Sequence, residues 1–137
     1  MSLRTYFLVN PKKGNRSMKI AVSSTGKDLE ATLDARFGRA AYFVIVDPDT
    51  LAFDAVENRQ NLNLAQGAGI QAAKTVLQHK ADALITGNCG PKAFKVLEAA
   101  GIKVYAGVAG RVRDILEQFK KGDLSESREP NVEGHWV

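Results

Sequence analysis

Cysteine and histidine are scarce in this chain of 137 residues, which contains one cysteine and two histidines. A single cysteine excludes an internal disulfide and a cage of several cysteines around a metal ion or cluster. No apolar run approaches the ~20 residues that a membrane-spanning helix needs. The apolar run at positions 6–9 is too short for the core of a secretory signal peptide, so we expect a cytoplasmic protein.

Several catalytic patterns are also missing. The loop after the first predicted strand lacks the GxxxxGK[ST] spacing that holds nucleotide phosphates. The sequence offers no Ser–His–Asp set and no carboxylate pair of the kind that hydrolases use. These absences favour a binding protein over an enzyme.

Positive charge is concentrated at the start of the chain. The net formal charge is +4, but four basic residues precede Met18, and beyond it basic and acidic residues balance at 15 each. We predict a flexible basic leader over residues 1–17, which either binds phosphates or is merely solvated. Residues 18–122 are long and apolar enough for one folded domain, and the polar residues 123–137 are predicted to form a loose tail.

Apolar runs and helical periodicity alternate along the predicted domain. The predicted strands are 19–23, 42–47, 51–57, 83–86 and 102–106, and the predicted helices are 66–79, 91–100 and 110–121. The short Asp-Pro-Asp connection after the second strand favours a hairpin. Pro91 suits the first turn of a helix and Gly101 can end it. This order predicts an α/β fold with a mixed five-stranded sheet and three main helices.

Four loops meet at one edge of this sheet if strands one, four and five are parallel and strand two is antiparallel. We call this edge the rim and define it by residues 23–24, 36–39, 88–90 and 107–110. Ligands of open α/β sheets bind outside the carboxyl ends of the strands, so we expect a site there. The candidate binding residues are Ser23, Ser24, Arg36, Phe37, Arg39, Asn88, Cys89 and Gly90.

The side chains of the rim suggest a soft, anionic ligand. Arg36 and Arg39 can present planar forks to anionic oxygens or sulfides, although they could equally be surface arginines that flank a core phenylalanine. Cys89 is a soft donor to metals, or else an inert turn residue. His135 is a weaker candidate for a metal ligand, because the end of the chain is expected to be loose.

Three segments in order resemble the dinitrogenase iron–molybdenum cofactor biosynthesis proteins. They read KIAVS at 19–23, DARFGRA at 34–40 and ALITGNCGPKA at 83–93, and the resemblance covers roughly residues 18–121. It implies an RNase H-like sheet and a non-catalytic protein that binds or carries iron–molybdenum cofactor or a related iron–sulfur cluster. It further implies a link to nitrogen fixation, cluster donor and acceptor proteins as partners, and a homodimer as one possible assembly.

One position departs from the pattern of the family. Some cluster-binding members have a histidine ahead of the Phe-Gly pair, where this chain has Arg36. Arginine stays protonated and cannot ligate a metal at neutral pH, so a cluster would need Cys89, His135, exogenous ligands or a second subunit.

Two other functions compete with the carrier. A nuclease of RNase H-like fold would need a carboxylate on the first strand to hold magnesium, and residues 19–23 contain none. A regulatory or scaffold module could bind a protein partner or a small anion at the same rim.

Overall fold

The computed structural model describes residues 17–58 and 67–131 of the chain. Within them lie five strands and three helices. The strands are β1 (Ile20–Ser24), β2 (Tyr42–Val46), β3 (Phe53–Glu57), β4 (Ala83–Ile85) and β5 (Lys103–Tyr105). The helices are α1 (Ala68–Gln78), α2 (Pro91–Ala99) and α3 (Val112–Lys121).

The strands form one mixed sheet in the order β3-β2-β1-β4-β5. β1 is central and entirely buried, because it pairs antiparallel with β2 on one side and parallel with β4 on the other. β5 extends the parallel half and β3 extends the antiparallel half. The carboxyl ends of β1, β4 and β5 therefore share an edge with the start of β2. The predicted fold class is confirmed.

The β2–β3 connection is the predicted hairpin. The Asp47 carboxylate accepts hydrogen bonds from the backbone N–H groups of Asp49 at 2.8 Å and Thr50 at 3.3 Å. An aspartate that folds its side chain onto the following backbone in this way stabilises a tight turn. β3 is shorter than predicted, because it begins at Phe53 and not at residue 51.

Both faces of the sheet are covered by helices. Alternate strand residues point to opposite faces, so Ala21, Phe43 and Leu84 pack in one cluster with the small residues of α1 and with α2. Ile20 and Ile85 belong to a second cluster, which α3 completes. The rim is thus the top of a three-layer sandwich, with a core on each side of the sheet.

The buried face of α1 consists mostly of small residues. Its buried residues are Ala68, Gly69, Ala72, Ala73 and Val76, whereas Leu77 is 37% exposed. The start of α1 packs closely against the loop before β2. A Cβ added to Gly38 would lie 2.8 Å from the backbone nitrogen of Gly69, so a side chain at Gly38 would clash with the helix.

Residues 123–131 are held against the domain, whereas the sequence predicted a loose segment over residues 123–137. The backbone N–H of Ser127 donates to the carbonyl of Val104 at 2.7 Å, and the hydroxyl of Ser127 accepts from the N–H of Ala106 at 2.9 Å. Leu124 packs against the core on the α3 side. Residues 123–131 therefore run along the outer edge of β5 towards the rim. The leader up to residue 16 and the last six residues lie outside the described ranges.

Candidate functional site

A buried carboxylate shapes the arginine-containing loop of the rim. Asp34 is 5% exposed, and its carboxylate accepts hydrogen bonds from the backbone N–H groups of Arg36 at 3.1 Å and Ala41 at 3.3 Å. The guanidinium of Arg36 forms a salt bridge with the same carboxylate, with 3.3 Å between Nε and Oδ1. Asp34 thus closes residues 34–41 into a compact loop and supplies a counter-charge to Arg36.

This loop is joined to the turn after β4 by backbone hydrogen bonds. The N–H of Asn88 donates to the carbonyl of Ala35 at 2.6 Å, and the N–H of Phe37 donates to the carbonyl of Asn88 at 3.3 Å. Arg36 and Asn88 consequently lie side by side as in a parallel sheet. Gly87 permits the approach, because a Cβ there would lie 2.7 Å from the Cα of Ala35.

The two serines at the end of β1 are buried and engaged. The hydroxyl of Ser23 donates to the carbonyl of Asp34 at 2.7 Å and lies 2.8 Å from the hydroxyl of Thr86. The hydroxyl of Ser24 donates to the carbonyl of Gly26 at 2.8 Å and accepts from its N–H at 3.1 Å. Both side chains are fully buried, so they stabilise the floor of the rim from within.

Phe37 and Cys89 point away from solvent, into the core. Phe37 is fully buried and its ring packs against Phe43 at a centroid distance of 5.4 Å. Cys89 is fully buried in the same cluster, and burial raises the pKa of its thiol to about 12. Only the thiolate is a strong metal ligand. Coordination by Cys89 would therefore require both deprotonation and an opening of the turn.

The loop after β5 completes the rim. The N–H of Gly107 donates to the carbonyl of Gly87 at 2.7 Å, and the N–H of Val108 donates to that of Thr86 at 3.2 Å. On the other side, the carbonyl of Gly110 accepts from the N–H of Leu33 at 2.8 Å. All four predicted segments of the rim are therefore brought together by the fold.

Exposed positive charge distinguishes the surface of the rim. The side chain of Arg36 is 58% exposed, and Arg39 lies half-buried on the same loop. Lys27 lies on the loop after β1, with its ammonium 5.9 Å from the centre of the Tyr42 ring. The first turn of α2 begins at Gly90 and Pro91 and has no acidic residue, so its partial positive charge is not neutralised locally.

Two asparagines that the sequence did not single out hold the rim loops. The Asn58 side chain is buried and donates to the carbonyls of Gly38 at 3.1 Å and Ala40 at 2.9 Å. Asn131 holds the turn that carries Cys89, with hydrogen bonds to both sides of it. Neither has a sequence signal beyond its residue type, because each contact depends on pairing between distant segments.

His79 lies away from the rim. The ring nitrogen Nδ1 of His79 lies 2.9 Å from the carbonyl of Thr75 at the end of α1, away from the rim. His135 lies outside the described residues. Among residues 17–58 and 67–131, no group of three or more His, Cys, Asp or Glu side chains could hold a metal ion.

These features define a small α/β domain whose rim, in the part of the chain that the structure describes, offers arginines and a helix N-terminus more readily than metal ligands. A protein-family model matches residues 18–122 of the chain. The chain therefore belongs to the family described as dinitrogenase iron-molybdenum cofactor. The resemblance noted from the three sequence segments is thereby confirmed.

Similar proteins include both solved structures and a curated relative. The apo form of the orange protein from Desulfovibrio gigas is 42% identical, with a TM-score of 0.82 over 85% of this chain and 98% of its own. A putative NifB protein from Thermotoga is 35% identical, with a TM-score of 0.73 over 85% and 99%. An uncharacterized protein of Methanocaldococcus jannaschii is 29% identical over 69% of this chain and 81% of its own.

The described helices are all too short or too polar to cross a membrane. The longest of them, α1, has 11 residues.

Proposed function

We propose that this protein binds and carries an anionic metallocluster of the iron–molybdenum or iron–sulfur type at the rim, and that it catalyses no reaction of its own. The observation that carries the proposal is the backbone pairing of Arg36 with Asn88, which places an exposed guanidinium next to the start of α2. An arginine fork and a helix N-terminus both favour negative charge. The family and the apo designation of the Desulfovibrio relative support a bound form of this kind.

The chemistry of the rim favours ionic binding over coordination. Arg36 and Arg39 would face the sulfides or carboxylate groups of an anionic cluster, while backbone N–H groups at the start of α2 would add hydrogen bonds. In the free protein the carboxylate of Asp34 partly neutralises the charge of Arg36, so the ligand would compete with an existing salt bridge. Cys89 as a ligand stays a prediction, since the thiol is buried and protonated in this conformation.

In this proposal the protein acts in the cytoplasm as an intermediate in cluster assembly or storage. It would accept the cluster from a donor protein and pass it to an acceptor protein. Weak, reversible ionic contacts suit such transfer, because a ligand held by several metal–thiolate bonds leaves slowly. A second copy of the chain could cover the exposed side of the cluster, and size-exclusion chromatography with and without ligand would test that assembly.

The proposal is tested by anaerobic binding. The protein is incubated with isolated iron–molybdenum cofactor, and separately with iron and sulfide, then desalted. Retained metal is measured by elemental analysis and the cluster by visible absorption. We expect stoichiometric retention by the wild type at low salt, and a loss of retention as ionic strength rises, because exposed charge contacts are screened.

Four variants identify the binding groups. Arg36→Ala should weaken retention by about five- to tenfold, the usual effect of removing one charged hydrogen-bonding group at an exposed site. Arg36→Lys should recover part of it, and Cys89→Ala should leave it unchanged. Lys103→Ala is the matched control, since Lys103 is an exposed cation at the start of β5, at the opposite edge of the sheet.

Each result has a distinct meaning. Retention that Cys89→Ala abolishes would replace ionic binding by coordination through Cys89 and keep the carrier function. If Arg36→Ala and Lys103→Ala reduce the retained metal equally, the rim is not the surface that binds the cluster. No retention of either ligand by the wild type would contradict the carrier function and favour a regulatory or scaffold module that binds a protein or a small anion.

A further inference from the structure

Asn131 makes three hydrogen bonds to the turn that carries Cys89. Its side-chain oxygen accepts from the backbone N–H of Cys89 at 2.8 Å, and its side-chain nitrogen donates to the carbonyl of Gly87 at 2.8 Å. Its own backbone N–H donates to the carbonyl of Cys89 at 3.2 Å. One residue thus spans the turn from its first residue to its third.

The path of the chain explains how a residue so distant reaches the turn. α3 ends at Gly122, and the chain returns along the outer edge of β5, where Ser127 bonds to the backbone of Val104 and Ala106. This return carries Asn131 to the carboxyl end of β4. The segment therefore connects the end of α3 to the rim, and Asn131 is the point at which it meets the site.

We propose that Asn131 is a positioning residue of the rim, which holds the turn at residues 87–89 closed over the thiol of Cys89 and fixes Asn88 beside Arg36. Its carboxamide matches the turn on both sides, since it offers an acceptor to an N–H and a donor to a carbonyl. Without this side chain, the N–H of Cys89 loses the hydrogen bond to Asn131, and the carbonyl of Gly87 keeps only the one from Gly107.

Hydrogen bonds that do not involve Asn131 also hold the turn, so removing its side chain should affect only the neighbourhood of Cys89. Ala35 accepts from the N–H of Asn88, and Gly107 donates to the carbonyl of Gly87. Loss of the Asn131 side chain should therefore leave the sheet and the arginine-containing loop in place. It should increase the fraction of time for which the turn opens and the thiol meets solvent.

The test measures the reactivity of Cys89 in the full-length protein without any ligand. The rate of reaction with an aromatic disulfide reagent is followed by absorbance for the wild type, Asn131→Ala and Ser127→Ala. The chain has no other cysteine, so the signal reports this thiol alone. Ser127→Ala is the matched control, because it removes a hydrogen bond from the same segment without touching the turn.

Asn131→Ala should react about tenfold faster than the wild type, since two partly exposed hydrogen bonds together shift an opening equilibrium by roughly that factor. The increase should persist at low urea with little dependence on its concentration, which separates local opening from global unfolding. Asn131→Asp keeps the acceptor for Cys89 but places a carboxylate oxygen against the carbonyl oxygen of Gly87, where the amide nitrogen lay 2.8 Å away. Because two acceptors repel at that distance, this variant should also react faster than the wild type. This variant also carries the comparison if Asn131→Ala does not fold.

Two results would overturn the proposal. Either Asn131→Ala reacts no faster than Ser127→Ala, or its faster reaction rises steeply with urea and follows the loss of global stability. The expectation that Asn131→Ala also weakens cluster retention rests on the proposed carrier function. If the wild type retains no cluster, that function fails, while the thiol rates still decide the role of Asn131.

Discussion

Gly87 lies where the turn after β4 packs against the backbone of the arginine-containing loop. A Cβ at this position would lie 2.7 Å from the Cα and 2.8 Å from the carbonyl oxygen of Ala35. Both are backbone atoms, so no side chain can rotate away to make room. Gly87→Ala should therefore force the turn after β4 and the arginine-containing loop apart.

The expected loss in the free energy of unfolding is estimated from the hydrogen bonds that would lengthen if the two segments moved apart. They include the hydrogen bond from Asn88 to Ala35 at 2.6 Å and that from Gly107 to Gly87 at 2.7 Å. Overpacking costs about 2 kcal/mol, the middle of its usual range, and each of the two weakened hydrogen bonds adds about 0.5 kcal/mol, so we expect a loss of about 3 kcal/mol. With an unfolding entropy of about 2.1 cal/mol/K per residue, that loss lowers the midpoint of thermal unfolding by about 10 °C.

The assay is thermal and urea unfolding of Gly87→Ala beside Gly101→Ala. Gly101 has a φ of 80° at the end of α2 and open space where a Cβ would stand. Its substitution therefore introduces backbone strain without a steric clash and should cost about 1–2 kcal/mol. The reasoning is refuted if Gly87→Ala loses no more stability than Gly101→Ala. Amide exchange at Asn88 should also accelerate in Gly87→Ala alone, as a local sign of the separation.

Three further predictions concern titration and the second asparagine. Burial raises the pKa of the Cys89 thiol from 9.0 to about 12, so the free energy of unfolding should fall by about 1.4 kcal/mol per pH unit between these values. Cys89→Ala should remove this dependence, which urea unfolding at a series of pH values measures. Hydrogen bonds from Arg113 and then Arg111 lower the pKa of Glu30, and the stability that they give is lost as the pH falls through that lowered value. Glu30→Gln should therefore lose less stability in acid than the wild type, and acid unfolding curves that coincide for the two proteins would contradict this. Asn58→Ala should destabilise the protein by about 2 kcal/mol, because it leaves two buried carbonyls without a donor, whereas a loss below 0.5 kcal/mol in urea unfolding would argue against that role.

The architecture could be predicted from the sequence because its signals are local. The apolar runs of the strands, Pro91 at the start of α2 and the Asp47 turn all act over a few residues. Right-handed crossover connections then leave few ways to arrange the parallel strands. The same local signals placed the four rim loops at one edge, and the backbone pairing of Arg36 with Asn88 agrees with that placement.

The direction of individual side chains at the rim could not be predicted in this way. Ser23, Ser24 and Cys89 lie at the expected positions of the rim, yet all three are fully buried. Whether a residue just beyond a strand faces solvent depends on which segment lies over it. For Cys89 that segment includes Asn131, 42 positions further along the chain. A polar tail with no apolar periodicity carries no local sign of such a contact.

Arg36, which stands where some members of the family have a histidine, lies on a loop whose shape depends little on its side chain. The rim loops are held by backbone pairing and by buried polar groups such as Asp34, Ser23 and Asn58. The side chain at position 36 contributes to this framework only through its salt bridge with Asp34, and it is 58% exposed. It can therefore differ between relatives at little cost to the fold. A histidine at this position could ligate a metal, whereas Arg36 offers charge and hydrogen bonds. In the proposed carrier, this one exposed residue would therefore decide whether an anionic cluster is held by coordination or by ionic contacts.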